Sequence, residues 1–500
     1  MTKDKHIIII GSGLGGLTCG YILAKKGYKI TILEQNAQIG GCLQTFKRAG
    51  TTFETGMHYI GSMDEGQILN RFFSYFNMLD TVPVSRLDPN GYDVILLEGQ
   101  RFPIVNGEEN FVDTLSQFFP HERSNLKVYS DYINKITDYS MFYTDNAQMT
   151  NSTFLRDPAF VRSASEFIET TIQTPLLRDV LAGNLPLYGG VENKTPLYIH
   201  ALIHDFYNKS AFRVAGGSDI IASSLANSIK EMGGEVLTRH KVVKINCDDM
   251  KATSVLIDNN VEIHADYIIS NAHPVRTLEL LDTPMIRKSF RNRVNSIENT
   301  ISNFTVYIRF KENALPYQNY NLYYSPKANL WKHVGNYRPE QFPLGFLYMH
   351  CCAEQNQKFA HNGILLSYMN FDEVAKWRGT RIERRGDDYQ EFKHNRAELL
   401  LDMLEEKVPG TRANILDYYT SSPLTYLDYT GTEGGSMYGI LPDCNNLLNT
   451  KVLPRTKVPN LLLTGQNINI HGILGVMIGA VITARELTDT SDIIQHLHNK

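Results

Sequence analysis

His6-Ile7-Ile8-Ile9-Ile10-Gly11-Ser12-Gly13-Leu14-Gly15-Gly16 joins a run of strand formers to a glycine-rich turn, and Leu17 to Lys26 follows with helical spacing up to Gly27. Gly11, Gly13 and Gly16 satisfy the GxGxxG pattern. The first allows a tight turn, the second lets the backbone approach a pyrophosphate, and the third lets the helix close on the strand. The helix N-terminus then offers free N–H groups and the positive end of its dipole to phosphate. A second strand, Tyr28 to Leu33, ends at Glu34, 18 residues beyond Gly16, where a carboxylate can accept hydrogen bonds from a ribose diol. A glycine-rich turn without a ligand is the competing reading. It explains the glycines alone, whereas a dinucleotide site explains strand, turn, helix, second strand and terminal acid together.

Outside this unit the composition is that of a large globular protein. The 500 residues are 42% hydrophobic and 20% charged with 10% aromatics, unlike a disordered, collagenous or coiled-coil chain. The formal charge of −4 comes without a basic block, so nucleic-acid binding is not expected. Six cysteines, Cys19, Cys42, Cys247, Cys351, Cys352 and Cys444, form no CxxC pair and read as reduced thiols rather than a zinc site or disulfide framework. Met1 to Lys5 runs straight into the isoleucine strand, too short an apolar run for a signal-peptide core, which points to the cytoplasm. Gly465 to Ala484 lacks acidic and basic residues over about the length of a bilayer span. Its first half nevertheless holds Gln466, Asn467, Asn469 and His471 and reads as a polar turn, leaving Ile473 to Thr483 as a buried helix.

After Glu34 come Gln35 to Ile39, Gly40-Gly41-Cys42-Leu43-Gln44-Thr45 and Phe53-Glu54-Thr55-Gly56-Met57-His58. These resemble the LExxxxxGGxxxT and F-[DE]-x-G-x-H patterns of FAD enzymes in the amine oxidase and phytoene desaturase superfamily. The resemblance implies a non-covalent FAD met by Gly11, Gly13, Leu14, Gly15, Gly16, Glu34 and Gln35, then by Gly40, Gly41, Thr45, Gly56, Met57 and His58. In it Gly40, Gly41 and Thr45 pass the pyrophosphate and flavin, and Gly56 lies against the isoalloxazine. Cys42 stands where the family commonly carries arginine, so one phosphate contact is missing from the pattern.

Later blocks extend the likeness. Arg213-Val214-Ala215-Gly216-Gly217-Ser218 leads into an amphipathic helix, Asp219 to Met232, capped by Ser218 or Asp219, and on into a strand from Glu235 to Ile245. In the family a valine such as Val242 touches adenine through its backbone. The hairpin that follows closes with Ala265-Asp266-Tyr267-Ile268-Ile269-Ser270-Asn271-Ala272, similar to the family's ADxVVSNA. A glycine-dense loop, Thr430 to Gly439, suits backbone laid flat against a planar ring. Val458 to Val476 reads as strand, turn and glycine-rich helix and resembles the C-terminal flavin motif, whose helix N-terminus faces the flavin pyrimidine. It implies Gly465, Gln466 and Asn467 at the phosphate and ribityl groups, and Gly475 and Val476 beneath the ring.

Pro196-Leu197-Tyr198-Ile199-His200-Ala201-Leu202-Ile203-His204-Asp205-Phe206-Tyr207, running on to Ser218, is similar to a segment of phytoene desaturases, carotenoid isomerases and retinol saturases. That branch implies an FAD-dependent oxidoreductase acting on C=C bonds of a long apolar polyene, carotenoid- or retinoid-like, or of another isoprenoid lipid. Saturation or isomerisation is favoured over desaturation. Spacing fixes no acid or base: His58, His200, Tyr207 and His471 are catalytic candidates, with Glu54 and Tyr438 near the expected site. His200 and His204 share a helix face, but no carboxylate completes a ligand set and no metal is expected. NAD(P)H could visit transiently as electron partner; quinone, oxygen or a flavodoxin-like carrier are the other options. A flavin amine oxidase, and a non-catalytic prenyl- or lipid-binding protein similar to the Rab GDP-dissociation inhibitors, are the alternative readings.

The expected architecture is α/β. A segmented, doubly wound Rossmann-like FAD domain takes residues 1–66, 212–276 and 421–500, and an inserted α+β substrate domain of mixed sheet and helical cap takes 67–211 and 277–420. The first insertion reads as largely helical. Its aromatics, Phe72, Phe73, Phe76, Phe118, Phe119, Tyr129, Tyr132, Tyr139, Phe142 and Tyr143, read as core or as a polyene tunnel. The second insertion shows strands at Ser302 to Lys311, Leu344 to Cys351 and Gly363 to Phe371, and a helix near Asp388 to Lys407. An apolar mouth would let the enzyme collect its substrate at the inner face of the membrane.

Overall fold

The isoleucine run His6–Ile10 is the middle strand of a five-stranded parallel sheet ordered Glu235–Leu237, Lys29–Leu33, His6–Ile10, Tyr267–Ser270, Leu461–Leu463. The structure, a computed structural model, describes residues 5–141 and 158–498, with side chains omitted at 138–141 and 158. The sheet's strands come from distant parts of the chain, and the central ones are apolar almost without a break because both faces are covered. On one face Ile7, Ile9, Ile30 and Ile32 pack on the helices Leu14–Lys25, Asp219–Glu231 and Gly472–Arg485. On the other, Ile8, Ile10, Leu33 and Ile268 meet an antiparallel meander, Val242–Cys247, Ala252–Ile257 and Glu262–His264.

That meander corrects one expectation. Glu235 to Ile245 is two strands in two sheets, not one. The break falls at Arg239, which adopts a positive φ of 59°. The amides of Arg239 and His240 bond the carbonyls of Asn36 and Glu34, carrying the chain over the sheet's carboxyl end before it returns at Val242.

A second, seven-stranded sheet runs Ile415–Ser421, Ser302–Phe310, Asn362–Met369, Phe346–His350, Asn321–Tyr324, Asp93–Leu97, Gln100–Ile104. Its one parallel pairing joins Asn321–Tyr324 to Asp93–Leu97. The first insertion is largely helical as expected, and it also supplies this hairpin and the short strand Val84–Arg86. The hairpin turns at Glu98 and Gly99, both at positive φ as a two-residue turn requires. Phe304, Val306, Ile308, Leu322 and Leu365 pack the outer face of the sheet beneath the helix Asp387–Lys407. Ile95, Tyr307, Tyr323, Leu347 and Leu366 turn the inner face toward a helical cap that includes Arg123–Met141 and Leu197–Lys209.

The aromatic stripe divides between these cores. Phe72, Phe73 and Phe76 pack around the glycine-motif helix, and Phe118, Phe119, Tyr129 and Tyr132 pack within the cap. Phe142 and Tyr143 lie outside the described residues, as does the side chain of Tyr139. The described members are core, and none of them lines the crevice or the two larger cavities described below. Among the described residues no helix is long and apolar enough to cross a membrane.

Candidate active site

A cavity of about 740 Å³ opens at the carboxyl end of the parallel sheet, the usual ligand crevice of such sheets. At one end lie Glu34, Gln35 and Val242, in the middle Gly11, Gly13, Leu14, Gly15, Gly40 and Gly41, and further along Gly56, Met57, His58, Gly465, Gln466, Asn467 and Val476. Glu34 is buried and held rigid: Oε2 accepts the Ser12 amide at 3.0 Å and its hydroxyl at 2.6 Å, and Oε1 accepts the Asn36 amide at 2.8 Å. Two helices, Leu14–Lys25 and Gly472–Arg485, start against the cavity with no side chain capping them. Their first N–H groups and dipoles favour an anion between them.

Asn271 organises the turn. A Cβ on Gly13 would come within 2.8 Å of its Nδ2, and a Cβ on Gly15 or Gly465 within 2.6 or 2.5 Å of its Oδ1. Three glycines and one asparagine therefore form an interlocked floor, and any larger residue at these glycines would collide with it. Spacing assigns Asn271 no role, although it stands in the block from Ala265 to Ala272. His240, Lys241 and Arg276, which also line the cavity, had no spacing signal.

At the far end His58 stands among Pro186, Leu187, Leu347, Leu366, Met437 and Tyr438. Its buried Nδ1 has no hydrogen-bond partner, and burial, helped by Arg213, pushes the imidazole down to about 4, so it is neutral at physiological pH. An orphaned ring nitrogen here, a fixed carboxylate at the other end and two uncapped helix starts between them suit an elongated ligand with a diol, a pyrophosphate and a hydrogen-bonding ring. FAD fits this set.

Other expected site residues stand elsewhere. Gly16 and Gly475 do not line the cavity: a Cβ on Gly16 would lie 2.2 Å from the Gly11 carbonyl oxygen, and one on Gly475 2.1 Å from Ile470, so both serve close packing. Thr45 lines a neighbouring chamber of about 510 Å³ that shares Gly41, Cys42 and Gly56 with the main cavity, and its hydroxyl donates to Asp219 at 3.0 Å. Ser218 does not cap its helix with its side chain; its amide and hydroxyl both donate to the buried Glu54. Burial pushes the Glu54 carboxyl up to about 8. His200 is fully buried in the cap, its two ring nitrogens bonded to the hydroxyls of Tyr129 at 2.7 Å and Tyr188 at 2.8 Å. Tyr207 stacks on Tyr59 at 4.2 Å. His471 precedes the C-terminal flavin-motif helix, lies tilted against Tyr438 at 4.3 Å and bonds the Leu187 carbonyl at 3.1 Å. Neither ring lines the cavity. Among the described residues no cluster of three His, Cys, Asp or Glu could hold a metal.

A narrow crevice meets the cavity at Pro186, Leu347 and Leu366 and continues past Ile95, Leu97, Gly183, Leu185 and Tyr323 toward Ser325 and His333. Its free volume is about 40 Å³, so a chain enters only as the lining side chains part. One residue that lines it, Tyr368, carries a buried hydroxyl with no hydrogen-bond partner.

A segmented parallel sheet carrying a dinucleotide cavity, with a mixed sheet closing its flavin end, defines an FAD-dependent oxidoreductase. The chain belongs to the flavin containing amine oxidoreductase family, whose sequence profile matches residues 14–487. It is similar to human all-trans-retinol 13,14-reductase, 28% identical over 96% of this chain and 85% of that protein. It is also similar to 4,4'-diaponeurosporene oxygenase of Staphylococcus aureus, 27% identical over 57% of this chain and 59% of the other. An oxidoreductase from Methanosarcina mazei shares the fold, with a TM-score of 0.63 and 15% identity over 95% of this chain and 98% of its own.

Proposed function

We propose that the protein reduces C=C bonds in a long, slim, apolar polyene, a carotenoid- or retinoid-like or other isoprenoid lipid. The observation that carries this reading is the apolar crevice that meets the flavin end of the cofactor cavity at Pro186, Leu347 and Leu366. FAD, when bound, supplies the two-electron chemistry. The chain's own part is to bind, align and dry the substrate. Leu347 and Leu366 hold a flat chain at the cavity's edge and keep water out, which fixes the reacting carbons in one geometry. The unpaired hydroxyl of Tyr368 gives a polar end group a hydrogen bond. The lean toward saturation rests on the Pro196 to Ser218 block and on the near full-length likeness to a protein named for retinol reduction. A lipid of this kind resides in membranes, so the proposal includes contact with a membrane surface and a separate two-electron donor, NAD(P)H or a quinol.

Mass spectrometry of total lipid extracts from the source cell with and without the gene tests substrate and direction together, by species differing in pairs of hydrogens. Accumulation of the hydrogen-poor member in the deletion supports saturation, and accumulation of the hydrogen-rich member replaces it with desaturation. Equal masses with shifted retention mean isomerisation. An unchanged lipid profile, with amine turnover and peroxide release by the purified protein, gives the place to an amine oxidase.

A further inference from the structure

Beside the crevice the mixed sheet carries a buried polar chain that cofactor binding does not use. Asp93 and Asn321 are cross-strand neighbours, Ile95 and Tyr323 pair two residues further on, and Tyr323 pairs with Leu347 on the next strand. Side chains alternate along a strand, so Asp93, Ile95, Asn321 and Tyr323 share one face. Tyr323 lines the crevice one strand spacing, about 4.8 Å, from Leu347, which lines both the crevice and the cofactor cavity. The Tyr323 hydroxyl lies 2.8 Å from that of Tyr59, and the Tyr59 hydroxyl lies 3.0 Å from Asp93 Oδ2. Asn321 donates from Nδ2 to Asp93 Oδ1 at 2.7 Å and accepts at its own Oδ1 from Arg213 at 2.8 Å. All of these residues are buried; Asp93 is 1% exposed and Arg213 2%.

We propose that Tyr323 is the proton donor to the substrate and is reprotonated through Tyr59 from the carboxyl of Asp93. This rests on the polyene reading and names a residue for it. Saturation adds a hydride to one carbon and a proton to its neighbour. The electron pair arrives with the hydride from reduced FAD, itself reduced by the two-electron donor, NAD(P)H or a quinol. As the π bond breaks, its electrons form the new C–H bond with the Tyr323 proton. The phenolate then takes the Tyr59 proton, Tyr59 takes that of Asp93, and water restores Asp93.

The wiring sets the direction. Asn321 occupies Oδ1 as an acceptor, so a proton on Asp93 sits on Oδ2, facing Tyr59. A protonated Asp93 donates to Tyr59 and Tyr59 to Tyr323, leaving the Tyr323 hydrogen free for the crevice. An ionised Asp93 accepts from Tyr59, Tyr59 then accepts from Tyr323, and that hydrogen is turned away. Burial pushes the Asp93 carboxyl up to about 7, opposed by Asn321, Tyr59 and the Arg213 charge. Tyr92, Tyr207 and Tyr323 are the other titratable groups that face it.

The test mixes chemically reduced holoenzyme with all-trans-retinol without oxygen and follows flavin reoxidation between about pH 6 and about pH 8.5, for wild type, Tyr323→Phe and Tyr59→Phe. In wild type the rate falls about tenfold per pH unit above about 7. Tyr323→Phe slows it by at least about 100-fold while retinol binding, read by its fluorescence, is unchanged; Tyr59→Phe slows it less and flattens the pH limb. A Tyr323→Phe rate within about twofold of wild type, or a limb that persists in Tyr59→Phe, overturns the proposal. A second readout needs no lipid: the infrared carboxyl stretch that disappears between about pH 6 and about pH 8. It is expected in wild type, reduced in Asp93→Asn to the part that the Glu54 carboxyl contributes, and displaced in Tyr323→Phe. If wild type reduces no polyene, the substrate reading falls, and a carboxyl band that Tyr323→Phe leaves unmoved overturns the relay as well.

Discussion

The side-chain oxygen of Asn271 lies where a Cβ on Gly15 would come within 2.6 Å of it, with the Gly465 Cα 2.8 Å away on another side. Neither neighbour can yield easily, since one directly follows a strand of the parallel sheet, with its amide bonded to the Ile10 carbonyl, and the other is backbone. Gly15→Ala is expected to lose about 1–3 kcal/mol of stability to overpacking and to emerge with less bound flavin, read by thermal unfolding and by the absorbance ratio of flavin to protein. Gly91→Ala is the control. A Cβ there meets nothing closer than Pro103 at 3.5 Å, and both readouts should stay at wild-type values.

Glu34→Gln separates charge from shape. The carboxylate accepts from the Ser12 amide, the Ser12 hydroxyl and the Asn36 amide, and glutamine offers one acceptor oxygen and one donor where there were two acceptors. Hydrogen bonds to a charged group contribute about 1.5–3 kcal/mol, so the FAD dissociation constant should rise by at least about tenfold. Fluorescence titration of the flavin-stripped protein measures it. Unchanged affinity would mean that Glu34 only holds the Ser12 turn.

Local chemistry wrote most of the cofactor half of this fold into the sequence. Strand, turn, helix and acid fall within one unit, so Gly11, Gly13 and Glu34 could be located from spacing. Long-range pairing hid the rest. Asp93–Leu97 is an edge hairpin arm until Asn321–Tyr324 pairs with it in parallel, over 200 residues away, although the apolar run turning at Glu98 and Gly99 was a hairpin signal. Asp93, Tyr59 and Tyr323 come from three distant stretches and meet only through sheet register, so no spacing could join them. His200 is the opposite case: its spacing to His204 left active-site lining and a core polar role both open, and two tyrosine hydroxyls make it a satisfied core residue.

Stability should peak near pH 6.5. Burial lowers His58, His204 and His471 from 6.5 to about 4, and His350 to about 3. Their contribution is present above the unfolded value and lost as pH falls through the folded ones. Glu54 and Asp93 are raised, to about 8 and about 7, so theirs is present below their unfolded values and lost as pH rises through the folded ones. Four histidines outnumber two carboxyls below 6.5, and above it only the carboxyls act. Unfolding temperature measured against pH should therefore climb to about 6.5 and decline gently beyond. In Glu54→Gln the alkaline decline should be shallower.

Gly183 tests whether the crevice conducts the substrate. A Cβ on Gly183 would sit 2.6 Å from Ile95 Cδ1, and both residues line the crevice beyond its junction with the cofactor cavity. Gly183→Ala therefore narrows the passage at a point remote from Glu34 and the glycine turn, and flavin content should match wild type. Turnover of a long polyene should fall by at least about tenfold in kcat/KM, through KM if the chain must pass this point to bind. Truncating Ile95 to alanine in the same chain removes the three colliding side-chain atoms and should restore much of the loss, a non-additive pair expected of residues in contact. A Gly183→Ala protein that handles short and long polyenes as wild type does would mean that the lipid enters elsewhere, with the chamber beside Cys42 and Gly56 the next place to block.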